Sequence, residues 1–317
     1  MLKKIVLISH VPCSSGTYIT HWICKILKAK YWLLPETNPH TLGNYNSSDS
    51  FYHNPGFALY AQKTINYEQW EKIYSFHLRD IINEWKNDEK VPYLVIRNWL
   101  FPEYFSKSSE CKVSGANGTF SLLNIISRYH SDIVSVMTHR DPVDSWLGFN
   151  ASFPQHSHKF TVKEYSLRYL KILSDLEKYK GNKNFIDLKL EDLVKSSSVR
   201  ANLLVCLGVD QGKVELLSQS IDPQKLSSGA SGRKYLTIAI PTRRPISIYG
   251  FLEMNKSKDL KHLRKKLAYH EKIKFRFFPF LLNSVIALVL RTLYLILPLP
   301  TFCSLSRKFG RLGICTF

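Results

Sequence analysis

Short apolar runs alternate along this chain with longer amphipathic stretches. Ile5–Ser9 is β-branched and continuously apolar, the pattern of a strand covered on both faces. Tyr18–Lys28 then places Ile19, Trp22, Ile23, Ile26 and Leu27 on one helical face. Tyr67–Trp85 reads as a helix, Tyr93–Arg97 as a strand, Phe120–Tyr129 as a helix and Asp132–Thr138 as a strand. Lys163–Tyr179 has helical periodicity, Phe185–Lys189 is a strand, and Leu190–Leu204 begins a further helix. Strands alternating with helices of this length imply parallel pairing. The predicted fold is therefore α/β in three layers, a central, mostly parallel sheet flanked by helices. Tyr31 to Ala61 is rich in Asn, Pro, Ser, Gly and aromatics, an irregular excursion of the kind that shapes a binding site.

The pattern changes beyond Asn255, which divides the chain into a domain over 1–254 and a C-terminal extension over 255–317. Lys256 to Arg276 holds nine Lys/Arg against Asp259 and Glu271. Phe277 to Leu290 is almost wholly apolar, Arg291 interrupts, and Thr292 to Pro300 is apolar again before a basic tail of Arg307, Lys308 and Arg311. The length approaches the roughly 18 apolar residues of a membrane span, but Arg291, Pro298 and Pro300 break it. Two readings stay open: a basic, apolar segment lying on an anionic membrane surface, or a hydrophobic helix docked on the domain.

Composition narrows the partners more than the chemistry. In 317 residues the 44 Lys/Arg exceed the 25 Asp/Glu by 19, so the partners are expected to be anionic: nucleotide, acidic glycan, anionic lipid or nucleic acid. No recognisable module of basic and aromatic residues points to nucleic acid. The six cysteines are scattered without a CxxC pair or a ligand spacing shared with His, which predicts neither structural zinc nor a disulfide framework. Lys3 and Lys4 precede an apolar run, Ile5–Ile8, far shorter than the roughly 7–15 residues of a signal core. The expected location is cytoplasmic, peripheral to a membrane or attached to it through the C-terminus.

The candidate chemistry begins where the first strand ends. A strand, a turn of small residues and a helix point free backbone N–H groups and a positive helix end at an anion. Here the turn is Pro12-Cys13-Ser14-Ser15-Gly16-Thr17, followed by Tyr18. An ATP-type loop requires G-x-x-x-x-G-K-[ST], yet the first Gly is missing and Tyr18 follows Gly16-Thr17, which argues against a kinase or ATPase. A thiol phosphatase built on Cys13 would place an Arg six positions later, where Ile19 stands.

Ser15-Gly16-Thr17 after a first strand resembles the 5′-phosphosulfate loop of the sulfotransferases that use 3′-phosphoadenylyl sulfate. "VSVMTHRDPVDSWLGF", ending at Phe149, resembles the family's 3′-phosphate segment, an apolar strand leading into Arg140-Asp141-Pro142 and a helix. "FIDLKLEDLVKS", from Phe185 to Ser196, is similar to the family's strand followed by Glu-Asp-Leu and a helix. All three occur in the family's order, and the resemblance covers about residues 1–250.

It implies a P-loop NTPase-like sulfotransferase fold and transfer of a sulfuryl group from 3′-phosphoadenylyl sulfate to a hydroxyl or amine, without a metal; with the basic, apolar C-terminus it points to a carbohydrate or lipid-linked acceptor. The implied nucleotide ligands are Ser14, Ser15, Gly16, Thr17, Tyr18 and Arg140, with Ser145 and Gly148 on the following helix and Arg233 and Lys234 in a late basic loop. A planar guanidinium at a strand end suits a terminal phosphate. Two positions depart from the family. Ser14 stands where Lys or Arg usually precedes Ser-Gly-Thr, and Gly148 stands where a second phosphate-binding Ser is common, leaving Ser145 as its candidate substitute. Arg97 is the candidate replacement cation. For the base that accepts the acceptor's proton, Glu103 and His10 are both candidates, against plain structural roles for each. The alternative to an enzyme is a catalytically degenerate nucleotide-binding or scaffold protein of the same fold.

Overall fold

Ile5, Val6, Leu7 and Ile8 are all fully buried because β1 (Lys4–His10) is the middle strand of a five-stranded sheet. The sheet also contains β2 (Tyr31–Leu33), β3 (Tyr93–Trp99), β4 (Ile133–His139) and β5 (Phe185–Lys189). The strand order is β2-β3-β1-β4-β5, and every pairing is parallel. The computed structural model describes residues 3–11, 14, 16–29, 31–33, 67–100, 104–105, 121–152, 160–219, 246–270, 273, 277–298, 301–302 and 305. The chain divides into two compact units, one of Met1–His139, Leu173–Ser227 and Lys234–Ala239, the other of Arg140–Ile172, Ser228–Arg233 and Ile240–Phe317.

In the first unit the period-2 alternation of strand side chains makes two cores. Ile5 and Leu7 of β1 pack with Leu94, Ile96 and Ile133 against α2 (Tyr67–Asn87) and α3 (Ser121–Ser127), through Leu78, Ile82, Trp85 and Ile125. Val6 and Ile8 face the other way, onto Ile19, Trp22 and Ile23 of α1 (Gly16–Leu27). Burying each such side chain is worth roughly 1.5–3 kcal/mol, so helices on both faces are what make this apolar strand stable. The three-layer α/β arrangement is the predicted one. Beyond β5 lie α6 (Leu190–Lys195), α7 (Ser197–Cys206) and α8 (Gln211–Gln219). The continuous helix expected over Leu190–Leu204 is broken at Ser196. That residue is extended, and its Oγ accepts the Val199 N–H at 3.3 Å. A run of three serines offers a cap more readily than a helix interior.

The second unit is helical among its described residues. It contains α4 (Pro142–Ser152), the first part of α5 (Val162–Leu176), α9 (Ile248–Lys256), α10 (Lys258–Lys266) and α11 (Phe277–Ile296). Helix α4 is buried at every position from Pro142 to Phe149, and Phe149 meets the Phe160 ring edge-on at 5.8 Å. Glu253 of α9 accepts the Val162 N–H at the start of α5 at 2.6 Å.

Helix α11 rests on α9. The Ile248 N–H donates to Ser284 Oγ at 2.8 Å, Phe251 meets Phe280 at 6.0 Å, and Asn283, Ala287 and Leu290 are buried. Arg291 interrupts the apolar run but not the helix, which continues to Ile296, and its guanidinium lies over the Tyr249 ring at 4.0 Å. Among the described residues, no helix is long and apolar enough to cross a membrane.

Candidate functional site

The turn after β1 is drawn together by one carbonyl. Val11 O accepts from His10 Nδ1 at 2.9 Å, Ser14 Oγ at 2.8 Å and Ser14 N at 3.4 Å. The Leu100 N–H holds the His10 carbonyl at 3.0 Å, fixing the end of β1 against the chain that leaves β3. Helix α1 starts at Gly16, whose carbonyl accepts from Thr20 Oγ1 at 2.8 Å. A Cβ at Gly16 would lie 2.1 Å from Cγ and Cδ2 of the His10 ring, so only glycine permits this approach. The first turn of α1 contains no acidic residue. Its N–H groups and the positive end of its dipole therefore meet no neutralising side chain of that turn.

Arg97 sits in β3 opposite Ile8 of β1 and is buried to 6% exposure. Its Nε donates to His10 Nε2 at 2.8 Å, which assigns the imidazole proton to Nδ1, where it donates to Val11 O. Burial, reinforced by the Arg97 charge, holds the His10 pKa well below 6.5. The same two causes bring His21, on α1, down to about 4. The structure thus unites two of the predicted catalytic residues. Arg97 places a buried cation one imidazole away from the loop glycine. With its Nε2 lone pair taken by Arg97, His10 has the geometry of a positioning residue, not of a base. Ser14 is fully buried and its hydroxyl proton is spent on Val11 O.

The second predicted segment leaves β4 at Arg140, which is 8% exposed. Asp141 caps α4, with Oδ1 accepting the Val143 N–H at 3.0 Å and its carbonyl accepting the Ser145 N–H at 3.0 Å. Arg264 of α10 closes on this carboxylate with Nε at 3.3 Å from Oδ1 and Nη2 at 3.2 Å from Oδ2. Ser145 is wholly buried, and its Oγ has no hydrogen-bond partner among the described residues. Asp141, Ser145 and Gly148 recur at four- and three-residue spacing, which sets them along one face of α4. Asp144 is the acidic residue of that first turn.

Within the first unit, His139 at the end of β4 holds Asp187 of β5, Nε2 to Oδ1, at 2.7 Å. Burial pushes the Asp187 carboxyl up, but the hydrogen bond and charge of His139, with Lys180 and Lys189, bring it below its ordinary value.

Arg264, His139 and Asp187 were not among the residues predicted from sequence. Arg264 lies in a run of lysines with no local mark to distinguish it, and its partner is 123 residues away. The alternation of β4 and β5 would have paired His139 with its neighbour strand only once the strand order was known. Glu103, Ser15, Arg233 and Lys234 lie outside the described residues, as do the side chains of Thr17 and Tyr18. Tyr104, which follows Glu103, is buried and donates from Oη to Asp175 Oδ2 at 3.0 Å. Among the described residues no group of three or more His, Cys, Asp or Glu is arranged to hold a metal ion.

The chain matches no family model and no curated protein. Among solved structures it is similar to the sulfotransferase domain from the curacin biosynthetic pathway, at 12% identity and a TM-score of 0.47, over 86% of this chain and 99% of that one. It is also similar to retinol dehydratase in a complex with retinol and PAP, at 13% identity and a TM-score of 0.45, over 87% of this chain and 84% of that one. A third is a sulfotransferase from Mycobacterium avium, at 9% identity and a TM-score of 0.42, over 87% of this chain and 78% of that one.

Proposed function

We propose that this protein is a sulfotransferase that moves a sulfuryl group from 3′-phosphoadenylyl sulfate to a hydroxyl or amine of a carbohydrate or lipid-linked acceptor. The observation that carries the reading is the fully buried Ser145 hydroxyl, without a partner among the described residues and five positions after a buried Arg140. A buried hydroxyl left unpaired costs about 1–3 kcal/mol, and a phosphate oxygen beside a guanidinium is the acceptor it suits. The reading assigns Arg140 and Ser145, with Gly148 leaving room on the same face, to the 3′-phosphate, and adds Arg233 and Lys234 as its late basic loop. Ser15, Thr17 and the backbone N–H groups at the start of α1 take the 5′-phosphosulfate.

In the reaction, the bond from sulfur to the bridging phosphate oxygen breaks as the acceptor oxygen or nitrogen bonds to sulfur. The acceptor's proton passes to a base and adenosine 3′,5′-bisphosphate leaves. Positive charge along the transferred group lowers the barrier, and Arg97, buried and bonded to His10 at the end of β1, takes that role in place of a residue at 14. Glu103 is the proposed base, since His10 already gives its free lone pair to Arg97.

Titration with adenosine 3′,5′-bisphosphate tests the binding half of the reading. Saturable binding is expected, weakened about a hundredfold in Arg140→Ala through loss of a charge-assisted contact. No binding by the wild-type chain would end the proposal. A second reading, a nucleotide-binding scaffold without transfer, is favoured by the neutral, already bonded Ser14. Release of the bisphosphate during turnover with an acceptor panel would exclude it.

A further inference from the structure

Helix α11 is packed on one face and apolar but exposed on the opposite one. Its inner face is fixed on α9 by Ser284, Phe280 and the stack of Arg291 on Tyr249. Its outer face carries Leu282, Val285, Leu288, Val289, Leu295 and Ile296, each at least half exposed, from 51% at Val289 to 83% at Leu295. These positions recur at three- and four-residue spacing over about four turns. The stripe contains no charged residue, and Thr292 is its one polar member between Leu282 and Ile296. Single exposed aliphatics need no explanation, but a continuous stripe of this kind marks an interaction surface.

The charge that flanks the helix in the sequence selects the partner. Lys272, Lys274 and Arg276 lead directly into Phe277, and Arg307, Lys308 and Arg311 follow the helix in the chain. In α10, Lys258, Lys261, Lys265 and Lys266 are exposed. An apolar stripe preceded and followed by cations in the chain suits an interface where hydrocarbon lies just beneath anionic headgroups. A protein partner would call for no such excess of one sign on either side of the helix in the sequence. We infer that the outer face of α11 binds the surface of an anionic lipid bilayer, lying in the interface without crossing it. This inference does not depend on the nucleotide reading.

Flotation of the full chain with vesicles tests it. Vesicles of phosphatidylcholine with about one-third phosphatidylglycerol should carry the protein up the gradient, and pure phosphatidylcholine should retain at least about tenfold less, because the cations then lose their attraction to the surface. Leu282→Glu/Leu288→Glu should bind the anionic vesicles about tenfold or more weakly. Both positions are exposed, so the variant should keep the wild-type melting temperature and far-UV spectrum, which are measured alongside. Equal binding of a folded variant and the wild type would overturn the inference, since the basic charge alone would then explain retention. Equal binding to neutral vesicles would overturn the anionic assignment. Loss of a wild-type dimer in the variant, with no vesicle binding by either, would show that a second copy covers this face.

Discussion

Arg264 and Asp141 form a two-pronged ion pair at 3.3 and 3.2 Å, and the same carboxylate caps α4 through Val143. Both side chains are largely buried, at 12% and 7% exposure. The pair therefore fixes the backbone turn that follows Arg140. Removing one partner of a buried pair strands the other charge and typically costs about 3–5 kcal/mol. Arg264→Ala is expected to lose stability in that range by denaturant unfolding. Asp141→Asn, which keeps an oxygen for the cap, should lose less than Asp141→Ala. Equal losses for the two Asp141 variants would show that the cap contributes little.

The layers of the fold were legible because each carries a local signal. β1 is apolar at consecutive positions, and α1 has one apolar face, so the α/β alternation followed from periodicity alone. The contacts that organise the site are not local. Arg97 reaches His10 across 87 residues and Arg264 reaches Asp141 across 123, and neither spacing leaves a trace in the sequence. The Ser14 departure was visible, but not that its hydroxyl serves the turn itself. The break at Ser196 was also written locally, in three consecutive serines, and the apolar periodicity on either side concealed it.

Gly16 should not tolerate alanine, although alanine normally gains about 1 kcal/mol over glycine in a helix. The added methyl would meet the His10 ring at 2.1 Å, and that ring is held at both nitrogens. Overpacking of this kind costs about 1–3 kcal/mol. Gly16→Ala should therefore lower the unfolding midpoint and weaken binding of adenosine 3′,5′-bisphosphate. Gly16→Ala/His10→Ala should regain part of the binding by removing the obstructing ring. A double variant no better than the single one would show that the methyl disturbs the loop in some other way.

Acid should destabilise the first unit through two histidines. In the unfolded chain both take a proton near 6.5, whereas in the folded chain His10 does so well below that and His21 at about 4. Between these values the unfolded state binds more protons, so stability falls as pH is lowered from 6.5 towards 4. Asp187 acts in the same direction at lower pH, because its depressed carboxyl loses its contribution as pH falls through the folded value. Melting temperature measured across this range should show the slope, and His21→Gln should flatten it. In a proton NMR titration, Arg97→Ala should raise the His21 value from about 4, by less than a full return to 6.5 because burial is the larger cause.

Placing a cation at position 14 should harm this protein. Ser14 is fully buried, and both its hydroxyl and its N–H donate to Val11 O. That carbonyl also holds His10, whose other nitrogen holds the Arg97 guanidinium. Ser14→Lys would remove one bond of this chain and place a second charge where one imidazole and one carbonyl separate it from Arg97. An unpaired buried charge is far more costly than a lost hydroxyl bond. Ser14→Ala should lose about 1 kcal/mol and retain bisphosphate binding. Ser14→Lys should lose several times more. If Arg97 is the cation of the site, Ser14→Lys/Arg97→Ala should be more stable than Ser14→Lys alone, because the repulsion is gone. A double variant worse than either single one would mean that the two charges never meet, and would return the question of the cation to position 14.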